Sequence, residues 1–328
     1  MFGNQTILVT GGTGSWGYEL VRQLLTFNPK EIRIFSRNES NQFTMKQEFD
    51  SNPKLHFIIG DIREKDALIE ACQGVDYIFH LAALKHVPVC EDHPLEALKT
   101  NVTGTQNVID AAIICNVNRV IYISTDKASN PSNFYGLSKA MGERLIIHAN
   151  TLNTKTRFVC IRGGNVLGTN GSVIHVFKKQ IQEKGQIGIT DPEMTRFFLT
   201  LEDAIQLVFK ATFESLGGEI FVMKMPTCKI LDLAYVLIEA SDKNNIDIYT
   251  LGIRPGEKIH EILLSEYESK NTIAYDNEYF VILPSIHIEG LKEHYSRYEL
   301  INLINYNSSK ELMTKDEIKE MLKKGRFI

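Results

Sequence analysis

The sequence predicts an α/β fold, a doubly wound parallel sheet followed by a smaller C-terminal unit, and three observations predict it. Short apolar or β-branched runs alternate with amphipathic helical stretches through residues 1–165, the pattern of strand–helix–strand units that close a parallel sheet. A glycine-rich turn stands between the first run and the first helix. A later run, Val120 to Ile123, ends in four reactive side chains, Ser124, Thr125, Asp126 and Lys127. Open α/β sheets bind their ligands at that end of the strands.

Thr6 to Thr10 reads as the first buried strand. Gly11, Gly14 and Gly17 follow as G-x-x-G-x-x-G and lead into a helix with apolar Leu20, Val21, Leu24 and Leu25. Such a turn brings backbone close to a pyrophosphate and aims a helix amino end at it. Thr13, Ser15 and Trp16 fill the loop and join the three glycines as candidate cofactor contacts. The second strand, Glu31 to Phe35, ends in Ser36 and Arg37. NAD usually meets a carboxylate here, whereas a guanidinium matches a 2′-phosphate, so NADP is the expected cofactor. The third strand, Leu55 to Ile59, runs into Gly60, Asp61 and Ile62, placed to cap the adenine. A helix over Asp66 to Cys72 and a fourth strand over Val75 to Leu81 follow, closing on Ala82 and Ala83. Small residues there let backbone pass under the cofactor. Lys85 is a candidate contact for cofactor or substrate phosphate, and His86 a loop contact. Residues 94–115 read as one long helix, with Asn101 tying neighbouring backbone together.

The turn Asn130 to Asn133 opens a helix carrying Tyr135 and Lys139, four residues apart and so on one face. A neighbouring ammonium favours the ionised form of a phenol, so this pair is suited to drawing a proton from a hydroxyl while a nicotinamide takes the hydride. After the strand Arg157 to Ile161 the composition turns loop-rich. The expected division is a cofactor domain over 1–165, to which 201–223 return, and a substrate-binding domain with a C-terminal tail over 166–200 and 224–328. Helices are expected through Lys184, over Leu201 to Phe213, over 258–264 and over 315–324, and a strand over Glu219 to Met223. The stretch from Asp276 onward reads as a polar tail that packs or meets other subunits.

The net charge of −4 and the absence of a basic run imply no nucleic-acid partner. Five scattered cysteines without a C-x-x-C imply neither a disulfide framework nor a metal site, and fit a reducing cytoplasm. No apolar run is long enough to span a membrane.

Hydride transfer from a hydroxyl needs only Thr125, Tyr135 and Lys139. Asp126 and Lys127 are surplus to that job and become intelligible if oxidation is followed by elimination. A ketone at C4 of a hexose acidifies the C5 hydrogen. Lys127 is then the C5 base, which requires it to be partly neutral through burial beside other cations. Asp126 is the acid for the departing 6-hydroxyl, and the hydride returns to C6, so NADP is held and recycled. Arg196 and Arg254, in loops after the sheet, are the candidate clamps for a diphosphate, with Glu257 suited to a ribose.

The stretches Thr10-Gly11-Gly12-Thr13-Gly14-Ser15, Phe35-Ser36-Arg37-Asn38-Glu39, Ala82-Ala83-Leu84-Lys85-His86, Ser124-Thr125-Asp126-Lys127-Ala128, Tyr135-Gly136-Leu137-Ser138-Lys139, Met194-Thr195-Arg196-Phe197 and Arg254-Pro255-Gly256-Glu257-Lys258 resemble those of soluble UDP-N-acetylglucosamine 4,6-dehydratases. These are extended short-chain dehydrogenase/reductases of polysaccharide biosynthesis. The resemblance implies a Rossmann sheet, a tightly held NADP, catalytic Thr125, Asp126, Lys127, Tyr135 and Lys139, and a UDP-sugar substrate. It implies substrate contacts from Lys85, Asn165, Val166, Met194, Thr195, Arg196, Arg254 and Glu257, and a homo-oligomer, often a hexamer. The chain departs at Trp16, where members usually have Phe, and at Gly163, where they usually have Tyr. The missing phenol is expected to open space near the sugar, leaving open C5 inversion, C5 retention or a 5,6-ene product; retained Tyr135 leans towards inversion. A 4-epimerase or reductase leaves Asp126 and Lys127 unexplained, and an NADP-sensing regulator would predict a defective Tyr135/Lys139 pair.

Overall fold

The computed structural model describes residues 1–152, 155–169, 171–243 and 245–328. Six parallel strands come first: β1 (Thr6–Thr10), β2 (Glu31–Ser36), β3 (Leu55–Ile59), β4 (Tyr77–His80), β5 (Arg119–Thr125) and β6 (Arg157–Gly163). They lie in the order β3-β2-β1-β4-β5-β6, a Rossmann sheet whose order reverses between β1 and β4. Val9, Ile34, Ile78, Ile121 and Val159 are completely buried. Strands covered on both faces are apolar at consecutive positions, which is why these runs lack alternation.

Ten further strands follow: β7 (Asn165–Val166), β8 (Gln186–Ile189), β9 (Thr195–Leu199), β10 (Ile220–Met223), β11 (Thr227–Lys229), β12 (Asp247–Thr250), β13 (Ile262–Leu264), β14 (Thr272–Ala274), β15 (Tyr279–Ile282) and β16 (Tyr306–Asn307). β10 adds to β6 in parallel; β15 and then β14 add antiparallel, completing nine strands. The sheet thus recruits Tyr279–Ile282 from the stretch expected to be a polar tail. That four-residue run is buried throughout, and its polar flanks hid it.

A second correction concerns residues 258–264. They form no helix: Ile262–Leu264 is a strand paired with β16, and the next helix starts at Glu266 behind a Ser265/Glu268 capping box. Leu263 and Leu264 are completely buried, so tertiary pairing overrides any helical preference there. The helices Leu201–Glu214 and Lys315–Lys324 stand where the sequence places them.

A separate apolar core gathers Leu167, Phe177, Ile187, Phe198, Leu233 and Leu322 beside the small sheet β11-β9-β7. The helix expected over 94–115 is interrupted by a π-helical turn at Lys99–Thr103. Asn101 in that turn accepts from Leu84 N at 2.8 Å and donates to Leu84 O and Ser138 Oγ, both at 2.9 Å. It ties backbone together, as its position implies. Among the described residues no helix is long and apolar enough to cross a membrane.

Candidate active site

A cleft of about 680 Å³ opens at the carboxyl ends of β1 to β6. Gly11, Thr13, Gly14, Ser15, Trp16 and Gly17 line one end, with Ser36, Arg37, Asp61 and Ile62 beside them. Gly11 has φ +69°, and a Cβ built on it would stand 2.8 Å from Ala82 Cα; only glycine permits that approach. Gly14 caps the helix Ser15–Thr26 without a side chain, so the helix amino end meets the cleft through backbone. Leu81, Ala82, Ala83 and Lys85 form the floor and rim. These residues fit a dinucleotide: a glycine cradle, a helix dipole for pyrophosphate and small residues beneath. Arg37 lies 3.8 Å from Asp61 and is half exposed. Burial works to raise the Asp61 pKa, but hydrogen bonds from Arg63 and the charges of Arg63 and Arg37 hold it below the usual carboxylate range.

At the other end of the cleft β5 delivers Thr125, the turn after it delivers Lys127, and the helix Phe134–Ala149 delivers Tyr135 and Lys139. Asn133 caps that helix by accepting from Gly136 N at 2.8 Å. A tight turn, Asp126–Ala128, follows β5. Asp126 is 0% exposed and lies outside the cleft wall. Its Oδ1 accepts from Thr125 Oγ1 at 2.8 Å and from Lys127 Nζ at 3.0 Å, and its Oδ2 has no partner among the described residues.

The charges here correct three expectations. Lys127 is not driven towards neutrality: burial lowers its pKa, but Asp126 and Glu261, the latter 3.4 Å from Nζ, hold the ammonium above its ordinary range. Tyr135 is not acidified. Burial pushes its phenol up to about 12, against the charge of Lys127 and a hydrogen bond with Thr125. The cation pulling on the phenol is thus Lys127 rather than Lys139. Lys139 is buried, and burial pushes it down to about 7; its Nζ donates to Ile123 O at 2.7 Å and stands 3.9 Å above the Tyr122 ring.

Asn165 and Val166 line the cleft, but Met194, Thr195, Arg196, Arg254 and Glu257 do not. Met194 packs in the second core. Thr195 Oγ1 bonds His260 Nδ1 at 2.8 Å and Ser308 Oγ at 2.7 Å. Arg196 is buried, donating to Thr195 O and Ile259 O and facing Glu257 at 3.7 Å and Glu261 at 3.6 Å. Its guanidinium is taken up by protein acceptors. Arg254 is exposed. Gly163 does not open space in the cleft: a Cβ there would face Met223 Sδ at 3.1 Å, and the residue does not line the cleft.

Several residues escaped the sequence reading. Arg162, 1% exposed, donates to Glu143 at 2.7 Å and Glu268 at 2.8 Å, and Ser129 Oγ donates to the same Glu268 at 3.1 Å. Lys258 Nζ donates to the carbonyls of Ser129 and Asn130. Glu261 is buried against Lys127. Arg162 and Glu143 pair across 19 residues, whereas Glu268, Lys258 and Glu261 look like surface charges until partners more than a hundred residues away are known; only the density of charge over Glu257, Lys258 and Glu261 hinted at them.

A model of the family described as polysaccharide biosynthesis protein matches residues 7–283. A UDP-N-acetylglucosamine 4,6-dehydratase (inverting) of Campylobacter jejuni is 45% identical over 87% of this chain and 85% of its own. A UDP-glucose 4-epimerase of Rickettsia bellii is 41% identical over 98% of this chain and 96% of its own. Among solved structures, Pen from Bacillus thuringiensis superposes with a TM-score of 0.91 at 38% identity, covering 98% of this chain and 99% of that one. By sequence, sheet order and site, this chain belongs to the polysaccharide biosynthesis protein family, on an extended short-chain dehydrogenase/reductase fold.

Proposed function

We propose that this protein is an NADP-dependent UDP-N-acetylglucosamine 4,6-dehydratase that inverts C5. The observation that carries the reading is that Lys127 stands in one cleft with Thr125, Tyr135, Lys139 and the glycine cradle, which puts a second amine beside the redox set where a carbon–hydrogen bond could be broken heterolytically. The inverting dehydratase of Campylobacter jejuni supports it. The dinucleotide, when bound, supplies the hydride acceptor and donor. Tyr135 takes the O4 proton once its phenol is ionised, a form that Lys127 and a hydrogen bond from Thr125 favour against burial. Lys127, after giving up its own proton to solvent, takes the C5 proton. Asp126, behind Thr125 and Lys127, which both donate to its Oδ1 and both line the cleft, is the proton donor for the departing 6-hydroxyl.

Arg37 at the end of β2, half exposed and on the cleft wall, supports NADP over NAD. Residues 166–200 and much of 224–328, with their own apolar core, are the proposed substrate-binding unit. Arg196 of β9 and Arg254 and Glu257 of the loop before β13, all off the cleft wall as it stands, are the proposed contacts for the UDP moiety. Exposed Leu95, Leu137 and Met141 support a homo-oligomer, and five free thiols suit the cytoplasm.

The Rickettsia relatives favour a second reading, a UDP-sugar 4-epimerase. Incubation of the purified protein with UDP-N-acetylglucosamine and NMR of the product separate the two. A 4-keto-6-deoxy sugar with inverted C5 is expected. A C4 epimer that keeps its 6-hydroxyl refutes the dehydratase.

A further inference from the structure

The charges around Lys127 come from several elements. Asp126 precedes it on the same turn, with Oδ1 3.0 Å from Nζ. Glu261, immediately before β13, brings Oε1 to 3.4 Å. Arg196 of β9 stands 3.6 Å from that same oxygen. Lys258 faces the cluster from the loop before β13, and Tyr135 faces it from its helix. Glu261 is 3% exposed, and its Oε2 has no partner among the described residues. A carboxylate so buried depends on cations to hold it. Of the two in contact with it, Lys127 reaches the cleft and Arg196 does not.

We propose that Glu261 is a positioning residue that holds Lys127 as a cleft-facing ammonium in the resting protein and strengthens the amine as a base once its proton has left. The inference rests on the dehydratase reading above. Glu261 acts on the amine as a neighbouring negative charge, 3.4 Å from Nζ. A nearby anion raises the basicity of an amine and shrinks its neutral fraction, and these two effects act in opposite directions on the rate of proton abstraction. Removal of C5 hydrogen in the wild type therefore climbs with pH well into the alkaline range, by about tenfold per pH unit.

The test follows deuterium incorporation at C5 by NMR in D₂O across pH, for the wild type, Glu261→Gln and Glu261→Asp. Formation of reduced nicotinamide, followed in parallel, reports C4 oxidation. In Glu261→Gln the exchange profile is expected to level off about one to three pH units lower, at a lower plateau, while C4 oxidation persists. Glu261→Asp, with a retracted carboxylate, is expected to fall between the two. If Glu261→Gln does not fold, Glu261→Asp alone decides, through a smaller displacement of the same sign. A profile that loses height without moving, or moves to higher pH, overturns the role given to Glu261. A wild type that makes no 4-keto-6-deoxy product overturns the dehydratase reading itself, and the inference with it.

Discussion

Glu268→Gln tests the buried network behind the catalytic turn. Glu268 accepts from Arg162 at 2.8 Å, from Ser265 N at 3.0 Å and Ser265 Oγ at 2.7 Å, and from Ser129 Oγ at 3.1 Å. Burial works to raise its pKa, but the Arg162 charge and these hydrogen bonds hold it down to about 2, from 4.5. At about 1.4 kcal/mol per pH unit, that difference corresponds to about 3 kcal/mol of stability at neutral pH. The folded pKa is depressed, so the stabilisation is present above the unfolded value and is lost as pH falls towards 2. Glutamine keeps the shape and removes the charge. Arg162 retains Glu143 at 2.7 Å, so no buried cation is left alone. Denaturant unfolding is expected to show a loss of about 3 kcal/mol near pH 7, shrinking to about 2 kcal/mol near pH 3.5. An equal loss at both pH values would mean that Glu268 contributes packing and hydrogen bonds but no ion-pair stabilisation, and would refute the reasoning.

Four other substitutions probe the site and its surroundings. Tyr135→Phe is expected to lower turnover about 10²–10⁴-fold and abolish C4 oxidation, whereas Lys127→Ala should still reduce nicotinamide but lose C5 exchange with solvent; normal exchange in the Lys127 variant would identify another base. Arg37→Asp should weaken NADP selectively in a titration of both dinucleotides, and equal wild-type affinity for the two would sink the assignment. Gly163→Tyr should lower stability by about 1–3 kcal/mol through overpacking against Met223, visible as a drop in Tm, with an unchanged Tm showing that the methionines yield.

The nucleotide end of the cleft was legible because its chemistry is local. The glycine turn, the Ser36–Arg37 strand end and the Ala82–Ala83 floor each follow a strand directly, so finding the strand finds the residue. Tyr135 and Lys139 were legible for the same reason, lying on one helix. Their electrostatics were not. The sequence suggests that Lys139 acidifies Tyr135 and that Lys127 is driven neutral, but the first shift is set by burial and the second by Asp126 and by Glu261, which arrives from 134 residues further along. Likewise Arg196 reads as a free guanidinium until β9 and the Ile259 carbonyl are placed around it. The misread helix over 258–264 has the same origin, since its partner strand Tyr306–Asn307 is two residues long and carries no pattern of its own.

The fastening of the catalytic turn has a consequence for the order in which the molecule is made. Lys258 grips the Ser129 and Asn130 carbonyls, Gly256 O accepts from Ser132 and Asn133, and Glu268 holds Ser129. All three come from the second half of the chain, whereas the glycine cradle and its floor are finished by Ala83. On the ribosome the nucleotide pocket is therefore complete long before the turn between Lys127 and Tyr135 is secured. A nascent chain halted before Arg254 would carry every redox side chain, with Phe134 N already held by Glu91, but none of these three later fastenings. Competence for chemistry, in this protein, is acquired at the end of synthesis rather than with the residues that perform it.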